Sequence, residues 1–245
     1  MDRRVVALHE HYDRSLLDQF YSDVLLPCFG MYPDELDDLD ALHVQLNEHN
    51  HDTTAEYLYH VLLLLQDKTI VAGVCFEYYR RSICGLVTHI ATNPKVDTRG
   101  QGVGKTLAGH AVHQLHRQAR KHGHDACQAV FLESNRDQVE GDVMQPARRR
   151  QIFRAWGIQY LDFDYIQPRL SDDKEPCRTL YLGVWKDALV QQTDESAVLP
   201  SRILRDFLTD FFTVLIGTDG VETDVDAVRQ LQWLDSHPVV PLLHV

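Results

Sequence analysis

The segment that most constrains this chain is DTRGQGVGKTLAGH, residues 97–110, which holds four glycines. It lies between an apolar run typical of a strand and an amphipathic run typical of a long helix. Glycine lets the backbone approach a ligand closely, and the free N–H groups and dipole of the following helix favour an anion. The segment therefore predicts a site for a phosphate-bearing ligand, with a glycine-rich turn that merely caps a helix as the alternative.

Three phosphate-binding patterns compete for this segment, and their spacing separates them. A P-loop requires a glycine at position 99, which is Arg99. The dinucleotide fingerprint requires its third glycine at position 105 or 107, which are Lys105 and Leu107. The pattern that fits is Arg-x-x-Gly-x-Gly, formed by Arg99, Gly102 and Gly104. Its natural guest is a pyrophosphate group.

The charge balance favours a cationic partner. The 245 residues contain 24 Lys and Arg against 36 Asp and Glu, a formal net charge of −12. Such a surface repels nucleic acid and anionic lipid unless a local basic patch overrides it. The longest apolar run, VLLLL at 61–65, is too short to span a bilayer. We therefore expect no nucleic-acid partner and no membrane partner.

The cysteines and the N-terminus indicate a cytoplasmic setting. Five cysteines, an odd number without CxxC spacing, favour free thiols over a disulfide framework. The N-terminal MDRRVVALHEHYD lacks the apolar stretch of a signal peptide. His110, His113 and His116 could share a metal, but no Cys or carboxylate nearby completes a ligand set. We expect a solvated helix face there and no metal site.

Apolar periodicity predicts an α/β core followed by a helical extension. Strands are expected at 3–8, 56–65, 69–79, 83–92, 128–134, 158–166 and 179–185. Helices are expected at 13–26, ending at Pro27, from Pro33, after the glycine loop, and at 145–156. The short linkers between residues 56 and 92 predict an antiparallel meander. The chain turns helical from about 197, which gives a core of residues 1–190 and an extension of residues 197–245.

The segment HIATNPKVDTRGQGVGKTLAGHAV resembles the coenzyme-binding segment of the GCN5-related N-acetyltransferases, the GNAT superfamily. The predicted element order over residues 5–185 is also similar to that of the family. The resemblance implies an α/β (α+β) fold, with a mixed, mostly antiparallel sheet flanked by helices. It also implies acetyl-CoA as cosubstrate, and acetyl transfer to a primary amine of a small molecule or peptide by direct attack in a ternary complex.

The resemblance assigns the coenzyme site to two stretches of backbone. The loop would hold the CoA pyrophosphate, and the end of the preceding strand would bind the pantetheine arm and polarise the thioester carbonyl. The residues implied are Ile90, Ala91, Thr92, Arg99, Gly100, Gln101, Gly102, Val103, Gly104 and Lys105.

The sequence departs from the family pattern in three places. Four residues separate Pro94 from Arg99, where two are usual. Phe153 stands where the family usually has a tyrosine that protonates the leaving thiolate, and Met144 replaces a frequent asparagine. The missing tyrosine leaves a second hypothesis open, a catalytically inactive CoA-binding regulatory or interaction module.

Three residues are candidates for proton transfer. Glu133, near the end of an apolar strand, is the first choice for general base, because burial would raise its pKa. A structural ion pair with an arginine of residues 148–150 is the alternative. His89 is the second choice for base, and a hydrogen-bonded core histidine is its alternative. Tyr165 is the candidate acid, with solvent or simple packing as alternatives.

The acceptor side is indicated only by charge and by the C-terminal extension. Asp34, Glu35, Asp37 and Asp38 could attract a cation or could simply complement a helix N-terminus. The apolar face of residues 201–217 must cover the core, line the acceptor site or form a homodimer interface. We expect it to pack on its own core, with dimerisation as the alternative.

Overall fold

The computed structural model of this chain describes residues 3–48, 50, 52, 55–193 and 196–243. The strands are β1 Arg3–Ala7, β2 Tyr57–Gln66, β3 Thr69–Tyr79, β4 Cys84–Thr92, β5 Ala129–Asn135, β6 Ile158–Tyr160, β7 Leu180–Trp185, β8 Val190–Thr193, β9 Ser196–Pro200 and β10 Val239–Val240. The α-helices are α1 Arg14–Phe20, α2 Leu26–Phe29, α3 Leu39–Asn47, α4 Val103–Lys121, α5 Pro146–Ala155, α6 Ser201–Thr223 and α7 Val225–Ser236.

Seven strands form one sheet in the order β1-β2-β3-β4-β5-β7-β6. Neighbours run antiparallel except β4 and β5, which are parallel. A parallel pair needs a crossover, and α4 provides it by packing Leu107, Ala111 and Leu115 on the sheet. This mixed, mostly antiparallel sheet flanked by helices confirms the predicted fold class and the predicted meander.

The first predicted helix continues past the proline expected to end it. Asp13 caps α1, as predicted, by accepting a hydrogen bond from the Leu16 N–H at 3.0 Å. A π-helical turn, Tyr21–Leu25, then leads directly into α2. Pro27 lies in the first turn of α2, where the missing N–H of proline costs little. The expectation that Pro27 ends the helix was therefore wrong.

Two other elements are shorter than predicted because distant side chains bind their backbones. Lys174 Nζ donates to the carbonyl oxygens of Pro33, at 3.1 Å, and of Leu36, and the predicted second helix begins only after this segment, at α3. The side chain of Gln230 in α7 accepts from the Ile166 N–H at 3.0 Å and donates to its carbonyl at 3.1 Å. The strand predicted to reach Ile166 ends with β6, and the next residues bind the C-terminal segment, where the Asp162 N–H donates to the Pro241 carbonyl at 2.9 Å.

The C-terminal helices pack against the large sheet. Phe207 of α6 stacks on Phe131 of β5, with ring centroids 4.4 Å apart, and meets Tyr79 of β3 edge-on at 5.5 Å. Asp210 accepts a hydrogen bond from the Ser82 N–H at 2.7 Å. A small sheet, β10-β9-β8, precedes and follows these helices, so the extension is not purely helical. The boundary between core and extension, and the homodimer, stay predictions.

A crossing of the bilayer would need a long apolar helix, and no helix in the described ranges has that length and composition.

Candidate active site

Strands β4 and β5 separate in the middle of the sheet. Their parallel pairing runs from Cys84 opposite Ala129 to Val87 opposite Leu132. An irregularity in the β3–β4 register follows at once. Beyond it, β4 pairs with β3 while β5 pairs with β7. The two strands therefore form a splay.

A cavity of about 420 Å³ lies at this splay, within the usual size of small-molecule sites. The ends of β4 and β5, the first turn of α4, helix α5 and helix α6 all contribute to its wall. Among the residues predicted from sequence, the cavity brings together Ile90–Thr92, Gly104, His89 and Glu133. Phe211, Val214 and Leu215 show that α6 contributes to the wall as well as to the core.

The glycine loop leads into α4 beside the cavity. Gly100 has φ +73° and Gly102 has φ +66°, left-handed values that favour glycine. A Cβ at either position would meet nothing within 4 Å, so backbone conformation rather than space requires glycine. The Arg99 side chain is 92% exposed and pairs with Asp97 at 3.0 Å. The loop therefore offers an anion its open backbone and the free N–H groups of the first turn of α4.

The remaining loop residues have structural or surface positions. Gln101 donates its Nε2–H to a carbonyl of the loop itself at 2.8 Å. Val103 is the first residue of α4 and is buried in the core, and Lys105 is exposed on the same helical turn. Gly104 lies against Trp156, because a Cβ there would be 2.9 Å from the indole ring. This close approach couples the start of α4 to the end of α5.

Glu133 lies on β5 at the wall of the cavity. Its Oε1 accepts a hydrogen bond from the Tyr165 hydroxyl, and its Oε2 accepts one from Gln167 Nε2 at 3.5 Å. Burial raises the pKa of Glu133 to about 7, and the bond from Tyr165 opposes part of that rise. Arg149 of α5 forms its ion pair with Asp142, at 2.8 Å, and not with Glu133.

Tyr165 is buried and donates its hydroxyl hydrogen bond to Glu133. Burial first, and the neighbouring Glu133 carboxylate second, raise the pKa of Tyr165 well above its ordinary value. The hydroxyl therefore stays protonated and works as a hydrogen-bond donor. In the described part of the chain it does not line the cavity, so the geometry brings Tyr165 to Glu133 rather than to the space for a leaving group.

His89 lies on the cavity wall near the end of β4. Its ring meets Phe29 edge-on with centroids 4.7 Å apart. Burial lowers the pKa of His89 to about 4, so the imidazole is neutral at pH 7. A base with such a low pKa is weaker than the carboxylate of Glu133.

Phe153 and Trp156 form the α5 side of the cavity. Their ring centroids are 5.1 Å apart. Phe153 is buried and apolar at the position where the resemblance places a tyrosine, so it offers no hydroxyl to a leaving thiolate. Met144 also lines the cavity, from the segment before α5.

Glu77 is a cavity residue that sequence reasoning missed. It lies on β3, is only 9% exposed and accepts a hydrogen bond from the Tyr79 hydroxyl. Burial raises the pKa of Glu77 to about 8. The signal in the sequence was a single carboxylate within the apolar run TIVAGVCFEYY.

The acidic segment before α3 divides between cavity and surface. Glu35 and Asp37 line the cavity, and burial raises the pKa of Asp37 to about 6. Glu35 accepts hydrogen bonds from Asn135 Nδ2 at 2.7 Å and from the Cys177 thiol at 3.1 Å. Asp34 instead accepts from a backbone N–H of a neighbouring loop at 3.1 Å. The segment therefore does more than complement a helix N-terminus.

Comparisons with known proteins agree with this geometry. The sequence model of the Acetyltransferase (GNAT) family matches residues 17–140, half of the chain. No curated protein is significantly similar in sequence. A solved structure from Bacteroides thetaiotaomicron, assigned to the GNAT acetyltransferases, is similar over 89% of this chain and 99% of its own, with 18% identity and a TM-score of 0.53.

More distant solved structures carry the same family name or activity. The ribosomal-protein-S18-alanine N-acetyltransferase of Escherichia coli is 13% identical over 75% of this chain and 93% of its own, with a TM-score of 0.46. An acetyltransferase of Streptococcus agalactiae is 11% identical over 75% of this chain and 97% of its own, with a TM-score of 0.49. From the match of the family model, supported by the fold, we conclude that this chain belongs to the GNAT family of acetyltransferases.

Proposed function

We propose that this chain transfers the acetyl group of acetyl-CoA to a primary amine of a small molecule or peptide, by direct attack in a ternary complex. One observation carries the proposal: the splay of β4 and β5 opens a cavity that contains the Glu133 carboxylate and reaches Gly104 of the glycine loop. A donor site and a candidate base therefore share one space.

The glycine loop fits the pyrophosphate of CoA. Gly100 and Gly102 have left-handed backbones with open space at the Cβ position. A dianionic pyrophosphate needs N–H donors at close range, and the first turn of α4 supplies them. Lys105 is exposed nearby and adds positive charge on the solvent side, whereas the Arg99 side chain pairs with Asp97.

The end of β4 fits the pantetheine arm. Residues Ile90–Thr92 pair with β3 on one edge, and they line the cavity at the splay. A backbone N–H aimed into the splay would polarise the thioester carbonyl. Acetyl-CoA supplies the activated acetyl group, and the chain's backbone orients it.

Glu133 is the proposed general base. A primary amine is mostly protonated at pH 7, so a proton must leave before nitrogen can bond to the acetyl carbon. A carboxylate whose pKa burial has raised to about 7 accepts that proton more readily than an ordinary glutamate. The C–S bond breaks as the C–N bond forms, and the second proton then leaves the nitrogen for solvent. Solvent protonates the leaving thiolate because Phe153 has no proton to give.

Purified protein, acetyl-CoA and a panel of primary amines test this function. We expect thermal stabilisation by acetyl-CoA and release of free thiol only when an amine is present. Thermal stabilisation without thiol release for any amine would favour the competing hypothesis, an inactive CoA-binding module motivated by Phe153. No stabilisation by acetyl-CoA would overturn both.

A further inference from the structure

Four carboxyl groups from three separate parts of the chain face the candidate active site. Glu35 and Asp37 come from the segment before α3, Glu77 from β3 and Glu133 from β5. They influence one another: Asp37 and Glu133 raise the pKa of Glu77, and Glu35 raises the pKa of Glu133. They therefore form one electrostatic group rather than four isolated acids. We call them the carboxylate cluster.

The nearest cations are engaged elsewhere. Arg149 lines the cavity, but its guanidinium binds Asp142 at 2.8 Å. The Lys174 ammonium is bound by the carbonyl oxygens of Pro33 and Leu36. Burial raises the pKa of Asp37 and of Glu35, and the charges of Lys174 and of Arg149, respectively, oppose only part of that rise. In the described ranges, the ion pairs within 4.0 Å include no member of the cluster. Buried carboxylates without a cation are costly when ionised, and a cationic guest would relieve that cost.

Two amide oxygens on the same cavity wall also lack donors. Gln167 is 5% exposed, and its Oε1 is buried without a hydrogen-bond partner in the described chain. Gln45 also lines the cavity, and its Oε1 is likewise buried without a hydrogen-bond partner in the described chain. A buried acceptor without a donor destabilises the folded chain. An ammonium group, with three donors and no acceptor, matches such a wall independently of charge.

Aromatic and aliphatic side chains line the space between these polar groups. Tyr57 and Tyr79 are stacked with centroids 5.9 Å apart, and Phe211 and Leu215 of α6 lie on the same cavity. Such walls suit a methylene chain, and aromatic faces also attract cations.

We propose that the acceptor is a linear di- or polyamine, whose second ammonium group is held by Asp37 and Glu77 while Glu133 takes the proton from the amine that is acetylated. The inference rests on the proposed function and names its substrate class. The C–S bond of the donor breaks as one C–N bond forms, the nitrogen loses its second proton to solvent, and solvent protonates the thiolate. The distal ammonium keeps its charge. Glu133 returns the proton to solvent when the product leaves.

Calorimetry on protein saturated with CoA tests the second-cation site without turnover. The probes are 1,5-diaminopentane, pentylamine and 5-aminopentan-1-ol, which share the chain and the reacting amine. We expect the diamine to bind at least about tenfold more tightly than either monoamine, equivalent to about 1.4 kcal/mol. Equal affinities, or binding of a lysine-rich peptide but not of the diamine, would overturn the inference.

Variants assign the preference to particular residues. Glu77→Gln keeps an acceptor for Tyr79, and Asp37→Asn keeps the shape of the side chain. Each is expected to reduce the ratio of diamine affinity to monoamine affinity to about threefold or less. The exposed controls Glu48→Gln and Asp40→Asn are expected to keep the ratio of the parent protein. An unchanged preference in a folded Asp37→Asn protein would contradict the assignment even if Glu77→Gln fails to fold. Tight diamine binding without any thiol release would overturn the proposed transferase function but not the cation site.

Discussion

The Tyr165 hydroxyl donates a hydrogen bond to Oε1 of Glu133, and among the described residues Glu133 lines the cavity whereas Tyr165 does not. Burial alone would favour the protonated carboxyl group, and this bond favours the ionised one. The pair therefore holds the pKa of Glu133 at about 7 instead of higher. Tyr165 is in this view a positioning residue rather than the acid that protonates a thiolate.

Glu133→Gln is expected to lower kcat by about 100-fold or more, because a glutamine cannot take the amine proton. The dissociation constant for acetyl-CoA is expected to stay within about twofold of the parent value. Steady-state thiol release and calorimetry measure the two quantities. The matched control is Glu140→Gln, which lies on an exposed turn. Equal kcat for Glu133→Gln and the parent protein would remove Glu133 from the mechanism.

The rate should rise with pH as Glu133 loses its proton. Below its pKa of about 7 the carboxyl group is protonated and cannot act as a base, so kcat/KM falls as pH decreases. Tyr165→Phe removes the bond that lowers this pKa, so the rising limb of the profile should move to higher pH. Tyr181→Phe, on β7 beside two arginines, is the control. A lower rate with an unmoved limb would indicate a purely structural role for Tyr165.

Gly102→Ala is expected to weaken acetyl-CoA binding. Placing a residue with a Cβ atom in the left-handed backbone conformation of Gly102 costs about 1–2 kcal/mol. The loop would therefore relax away from its present conformation. Gly109→Ala is the matched control, because Gly109 lies within α4 with open space around it. That control should stabilise the helix by about 0.5–1 kcal/mol and leave binding unchanged. Equal acetyl-CoA affinities for the two variants would argue against a loop-bound pyrophosphate.

Phe207→Ala is expected to reduce the free energy of unfolding by about 3–5 kcal/mol, because it leaves a cavity beside Phe131 and Tyr79. Val225→Ala, at a position that is 80% exposed, should change it by less than about 0.5 kcal/mol. Denaturant unfolding measures both. A small effect of Phe207→Ala would mean that α6 is an independent appendage.

Glu77→Gln should gain stability over the parent protein as pH rises. The folded-state pKa of Glu77, about 8, lies above its ordinary value of 4.5. The stabilisation of the folded chain that comes from this raised pKa is therefore fully present below pH 4.5. It is lost as pH rises through 8, because the carboxyl group of the unfolded chain releases its proton at lower pH than that of the folded chain. The difference in melting temperature between variant and parent should grow from pH 5 to pH 9. A difference that is constant with pH would place the carboxyl group in contact with water.

The glycine loop proposed to bind the donor could be identified from sequence because its residues are local. Arg99, Gly102 and Gly104 lie within six residues, and their spacing by itself excludes two other kinds of phosphate loop. The strands that form the splay were also predictable, since their apolar runs are long. Glu133 was found for a related reason, as a carboxylate in an apolar strand.

The cavity wall proposed to bind the acceptor depends on long-range packing and was harder to predict. Glu77 and Asp37 reach the same cavity from segments 40 residues apart in sequence, which no local pattern reveals. The contribution of Phe211 to the wall depends on how α6 crosses the sheet. Pro27 was misjudged because a π-helical turn shifts it into a tolerated position.

Mass spectrometry of the acceptor tests acetyl transfer most directly. The protein is incubated with acetyl-CoA carrying a labelled acetyl group and with 1,5-diaminopentane, and free thiol is measured in the same samples. We expect one labelled acetyl group on nitrogen for each thiol released, with both lost in Glu133→Gln. Thiol release that is equal with and without the amine, with no labelled amide formed, would contradict transfer to an amine.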